Sequence, residues 1–269
     1  MNTTEVIIEG QKIFYVSEIS DDSAPLTVFL HGWGSSGLAF TRLYENQKNF
    51  LALDFPNSGK SSPLKTVFTL EDYTRVTHQF LQKFLVKNNI SGSEQKIILV
   101  GHSFGGRVIA KLLNLYPDFY SPQKIEKIVC ISVPFYRENT LKTRLIGKLV
   151  QAGNTLLSPS VLSSLKGVFH KIVGENDYFD LAENIVMKQT FQNIVGEEIQ
   201  PYLSKFSEYS TFCFWGKNDD IIPFSFAEKA QSEEIPDLTI FCIENAGHFP
   251  WVDNPKDFLG HWDSIFCLK

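Results

Sequence analysis

Residues 97–108 read IILVGHSFGGRV: four apolar residues run straight into a histidine and a serine fenced by glycines. Ile97 to Val100 carry no polar face, as expected of a strand buried on both sides. From Ser103 the pattern turns helical and runs to about Tyr116, where Pro117 stops it. Gly101-His102-Ser103-Phe104-Gly105 matches G-x-S-x-G. The pattern alone is weak, but its strand–turn–helix setting makes it a strong signal for an exposed, reactive serine. Side chains flanking a serine on so sharp a turn would collide, and Gly101 and Gly105 remove that clash. Gly106 lets the helix approach the sheet. At a helix N-terminus, Ser103 also gains from the positive end of the dipole as anionic charge develops. The competing reading is an ordinary serine N-cap.

Other strands lie on both sides of this one. Residues 5–19 read as two strands around a turn at Gly10 and Gln11. LTVFLHG, NFLALDFP, KIILVG, KIEKIVCISVP, TFCFWG and LTIFCIENAG follow, each a short apolar run. Helical stretches alternate with them. The clearest, 70–89, opens on a Thr69/Asp72 capping box and carries one apolar stripe from Tyr73 to Leu85. A last helix spans about Pro255 to Phe266. This alternation predicts an α/β fold, a doubly wound and mostly parallel sheet with helices on both faces. Residues 135–205 break the rhythm with helical patterns but no buried strand. They predict a helical insertion, a cap, between a core domain of 1–134 and 206–269.

Composition narrows the function. The 269 residues carry a net charge of −5, so no global basic field invites nucleic acid. Arg137, Lys142, Arg144 and Lys148 cluster within 137–148 beside apolar residues at helical spacing. The cluster reads as a solvated helix face, with attraction of an anionic substrate or membrane surface as its alternative. No apolar run is long enough to span a membrane, and the N-terminus lacks the pattern of a signal peptide. Cys130, Cys213, Cys242 and Cys267 show no metal spacing. The first three fall in apparent core strands, so free buried thiols and a cytoplasmic location are expected. With no cluster of ligand spacing, neither metal nor organic cofactor is expected. Nothing in the sequence sets an oligomeric state.

A serine hydroxyl needs a base, and the base needs an acid to orient it. His248 lies in ENAGHFPWVDNP, after a core strand and before the last helix, where an α/β sheet keeps its active groups. His78, His170 and His261 fall in helical or insertion segments and read as structural, and His102, held beside the serine by the motif, reads first as packing. TFCFWGKNDDIIP offers two acids, Asp219 and Asp220, of which only one can face the histidine. An oxyanion needs two N–H donors. Phe104, next after the serine, supplies one, and the loop HGWGSSG points to Trp33 for the other.

Together these motifs resemble the α/β-hydrolase superfamily across nearly the whole chain. The family's HG turn is matched by His31-Gly32, and its D-x-x-G-x-G-x-S by DFPNSGKS, Asp54 to Ser61. Asn57 replaces the first glycine there, a residue that tolerates a left-handed backbone. G-x-x-D-x-x-x-P is matched by Gly216 to Pro223, which selects Asp219 over Asp220. G-H-x-x-x-x-E-x-P is matched by Gly247 to Pro255, with Asp253 in place of Glu. The order serine, acid, histidine agrees, and the 135–205 insertion falls where the family carries its cap.

The resemblance implies an eight-stranded sheet and a serine hydrolase with Ser103, His248 and Asp219 catalytic and Trp33 and Phe104 forming the oxyanion hole. The expected partner is a small-molecule acyl substrate, a carboxylic ester first. Trp33, His102 and Phe179 are expected to line its pocket, and the cap aromatics Phe169, Tyr178, Phe179 and Phe191 to set its selectivity. Two alternatives remain at this stage. One is C–C hydrolysis or a lyase step on a vinylogous or β-diketone acid, with Arg107 or the 137–148 cluster holding its carboxylate. The other is a non-enzymatic, receptor-like use of the fold.

Overall fold

The computed structural model describes residues 2–45, 47–90, 94–137 and 185–267. Eight strands form one sheet: β1 (Asn2–Ile8), β2 (Gln11–Ile19), β3 (Leu26–Leu30), β4 (Asn49–Leu53), β5 (Ile97–His102), β6 (Ile125–Ile131), β7 (Ser210–Gly216) and β8 (Thr239–Ile243). Their spatial order is β1-β2-β4-β3-β5-β6-β7-β8. β1 and β2 pair antiparallel, as do β2 and β4, and the remaining neighbours are parallel. Strands β3, β4 and β5 are buried at every position, so both faces need cover. Alternate residues divide between two cores. Val28, Leu30, Leu99 and Cys130 pack on one face with α2 (Leu70–Lys87) and α3 (Phe104–Leu115). Phe29, Val100, Ile131 and Phe214 pack on the other with α1 (Thr41–Tyr44) and α7 (Pro255–Cys267), whose Trp262 is 2% exposed.

Local signals agree with this frame. Thr69 Oγ1 accepts from the Asp72 N–H while Asp72 Oδ2 accepts from the Thr69 N–H, closing the capping box that starts α2. Asn57 has φ +62, so the asparagine does stand in the left-handed region. Cys130 and Cys213 are free and buried, opposite one another on β6 and β7. Cys242 is only half-buried, because β8 is an edge strand with a single buried residue, Ile243. That corrects the expectation of a core thiol there. Between β6 and β7 the described chain holds α4 (Ile185–Gly196) and a 3-10 segment, Gln200–Glu208. Residues 138–184, with Phe169, Tyr178 and Phe179, lie outside the described residues. Helices α5 (Ser225–Glu233) and α6 (Pro250–Asp253) complete the chain. Among the described residues no helix is long and apolar enough to cross a membrane.

Candidate active site

Ser103 sits between the end of β5 and the start of α3, half-exposed, with φ +49 and ψ −112. It is the N-cap residue of α3, yet its side chain makes no capping bond. A serine kept for capping would satisfy a helix N–H and would not need this strained backbone. The turn is possible only with glycine on both sides. A Cβ on Gly105 would run into the Leu30 carbonyl, and one on Gly101 would stand 2.6 Å from the Gly106 nitrogen. Gly106 lies against Val133, the second residue beyond β6, so any side chain there would push helix from sheet.

The loop after β7 and the loop after β8 meet beside this serine's strand. His248 Nδ1 lies 2.8 Å from Asp219 Oδ2, with both residues 8% exposed. Asp219 Oδ1 accepts from the N–H groups of Ile221 and Ile222 at 3.0 and 2.9 Å. Those two bonds fix the carboxylate plane, so Oδ2 can only face the imidazole. Asp220 points to solvent. The His248 loop is held in turn by the Gly247 N–H donating to Asp253 Oδ2 at 2.9 Å, so aspartate serves where the resemblance expects glutamate.

His102 is 2% exposed and is enclosed by the rings of His248, Phe249 and Trp251, each within 5 Å. Its Nε2–H donates to the His248 carbonyl at 3.0 Å. The expectation that His102 lines a substrate pocket is therefore corrected: the ring lies beneath the His248 loop and braces it. Trp33 is half-buried, and its ring meets Phe104 at 5.7 Å, Tyr73 at 6.2 Å and Phe191 of α4 at 5.5 Å. Neither the Trp33 nor the Phe104 backbone N–H donates to a protein acceptor among the described residues. Two free donors and a half-exposed serine suit an acyl transfer in which an oxyanion develops.

Residues 27–260 match the sequence profile of the Alpha/beta hydrolase family. The chain belongs to the Alpha/beta hydrolase family. Its relatives include the uncharacterized hydrolase YugF of Bacillus subtilis, 21% identical over 94% of each chain. Putative esterase/lipase 2 of Mycoplasma pneumoniae is 23% identical over 87% of each. Among solved structures, the bromoperoxidase from Bacillus anthracis superposes with a TM-score of 0.74 at 20% identity, covering 100% of both chains. The esterase EaEST from Exiguobacterium antarcticum gives 0.72 at 20% identity over 99% of both. At such identities the structural likeness speaks for the fold.

In this member of the Alpha/beta hydrolase family, two buried groups hold the turn that carries Trp33. His31 Nδ1–H donates to the Gly32 carbonyl at 2.7 Å, and its Nε2 accepts from the Phe55 N–H at 3.0 Å. Asp54 accepts from the N–H groups of Gly37 and Lys60, and burial raises its carboxyl pKa. Burial pushes His31 down to about 4, from an ordinary 6.5, and pushes His102 well below its ordinary value. Both histidines fold as neutral rings. Below an unfolded pKa of about 6.5 the unfolded chain binds more protons than the folded one. Their stabilising contribution is therefore present above that pH and is lost as pH falls toward about 4. Tm is expected to hold steady above about pH 7 and to fall below about pH 6.5, before carboxylates titrate. A Tm unchanged down to the carboxylate range would contradict the neutral, enclosed histidines. Asp54, whose carboxyl pKa burial raises, acts in the opposite sense above its ordinary value.

Sequence reasoning weighed Arg107 only as a cation for a substrate carboxylate. Its guanidinium instead donates to the backbone carbonyls of Pro134, Ile194 and Glu197. Those bonds turn the group toward α4, which weakens the C–C cleavage alternative. Tyr73, Phe55 and Phe68 form an aromatic network behind Trp33 and Phe104 that the sequence did not single out. Tyr73 lay on the α2 stripe, indistinguishable there from core, and Phe55 and Phe68 lie in the loops outside that helix.

Proposed function

We propose that this protein is a serine hydrolase that cleaves a small-molecule carboxylic ester through an acyl-enzyme. The observation that carries the reading is the Asp219–His248 bond at 2.8 Å, with the His248 ring packed on His102, the residue before a strained serine whose side chain makes no capping bond. Ser103 Oγ attacks the carbonyl carbon while His248 Nε2 takes its proton. Asp219 keeps the other ring proton on Nδ1 and stabilises the imidazolium. The N–H groups of Phe104 and Trp33 receive the oxyanion, aided by the positive end of α3. As the tetrahedral intermediate collapses, His248 returns the proton to the departing alcohol. Water, deprotonated by the same histidine, then releases the acid and restores Ser103.

Residues 135–205 act in this reading as a cap over the carboxyl ends of the strands. Its described helix α4 brings Phe191 to Trp33, which supports a pocket walled by aromatic rings. The free thiols of Cys130 and Cys213 support a reducing, cytoplasmic setting. The test is a panel of p-nitrophenyl esters of graded acyl length, together with fluorophosphonate labelling. Turnover of esters and labelling at Ser103 are expected. Faster cleavage of a dienoate ring-cleavage product than of any ester would overturn ester hydrolysis as the function. No labelling and no turnover would favour a non-enzymatic role.

A further inference from the structure

Helix α4 is held only in part by apolar contact: Ile194 joins the core, and Val186 and Met187 pack against it half-buried. Of its twelve residues only Thr190 and Ile194 are buried, while Ile185 is 70% and Val195 46% exposed. Polar bonds add to that packing. Midway, Thr190 Oγ1 accepts from the Phe68 N–H at 3.0 Å, and Asn193 Nδ2 donates to the Phe68 carbonyl at 3.3 Å. At its C-terminal end two cations reach across from α3, the helix that follows Ser103. Arg107 is 7% exposed and donates to the carbonyls of Ile194, at 2.9 Å, and Glu197. Lys111, one turn further and 5% exposed, meets the Glu197 carboxylate at 2.6 Å. Free carbonyls at a helix C-terminus carry partial negative charge, so buried cations there are matched electrostatically. Phe191, one turn before Ile194, is the residue that touches Trp33.

We propose that Arg107 is a positioning residue for the substrate pocket: its grip on the end of α4 keeps Phe191 against Trp33 and so limits the acyl group that fits beside Ser103. The inference rests on the ester-hydrolase reading above. Arg107 touches no reacting atom. It acts on selectivity through Phe191, and the effect falls on KM more than on kcat.

The experiment compares Arg107→Ala, Arg107→Lys, Phe191→Ala and the Arg107→Ala/Phe191→Ala double variant on p-nitrophenyl acetate and hexanoate. Hydrogen exchange over residues 185–196 is measured alongside. Arg107→Ala and Phe191→Ala are each expected to raise the hexanoate-to-acetate ratio of kcat/KM by about tenfold, mainly through KM. The double variant should go no further than Phe191→Ala, because the two residues lie on one route. Lysine keeps the charge but not the fork that reaches Pro134, Ile194 and Glu197 together, so Arg107→Lys should fall between wild type and Arg107→Ala. Should Arg107→Ala fail to fold, Arg107→Gln takes its place. An equal loss on both esters, or additive effects in the double variant, would overturn the proposal and leave Arg107 as a scaffold residue. Unchanged exchange in 185–196 would overturn it whatever the turnover. If wild type hydrolyses no ester while exchange accelerates in Arg107→Ala, the ester reading falls and the anchoring of α4 is supported.

Discussion

Ser103→Ala is expected to lower kcat on any accepted ester by at least about a thousandfold while leaving the fold intact. The two halves of that expectation have separate grounds. The serine makes no capping bond to α3 and is half-exposed, so losing its hydroxyl strands no buried partner. Tm should therefore stay within about 2 °C of wild type. Catalysis has no substitute nucleophile at this point, since the residues flanking Ser103 are the buried His102 and Phe104. Ser103→Gly sharpens the test. At φ +49 a Cβ is strained and glycine is not, so the glycine variant should be equally inactive yet melt higher than the alanine one. Retention of more than about a tenth of wild-type kcat by either variant would remove Ser103 from the mechanism.

Asp219→Asn should be nearly as damaging, and Asp220→Asn nearly silent. The reason lies in how Asp219 is held. Its Oδ1 accepts from two backbone N–H groups, of Ile221 and Ile222. An asparagine must keep its one oxygen there, or face two donors with an NH2 group. Its amide nitrogen then points at His248 Nδ1 and requires that atom to accept. The imidazole proton moves to Nε2, where it blocks the transfer from Ser103. A loss of about ten thousandfold in kcat is expected for Asp219→Asn, against less than about twofold for Asp220→Asn. Equal melting temperatures for the two variants would show that the difference is chemical. If the ranks were exchanged, the acid loop would have to present its other aspartate to His248.

Much of this molecule was open to reading before its structure, for a reason that differs from part to part. The central strands are visible in the sequence because both faces of a covered sheet must be apolar, which leaves short hydrophobic runs such as LTVFL and NFLAL. The turn at Ser103 is visible because its backbone leaves no room for side chains at Gly101 and Gly105, a steric demand met only by glycine. Asn57 at φ +62 follows the same logic. Relations between distant segments were decided by the tertiary structure. The sequence offered Asp219 and Asp220 side by side, and only the fold of the β7 and β8 loops sends one to His248 and the other to solvent. His102, beside Ser103, reads from the sequence as a packing residue first and a pocket residue second, and the ring turns beneath the His248 loop, a direction set by packing against Phe249 and Trp251. Arg107 carries no local mark of its partners, which lie 27 to 90 residues away. A guanidinium on a helix reads the same whether it meets water, a substrate or the end of another helix, and only packing chooses among them.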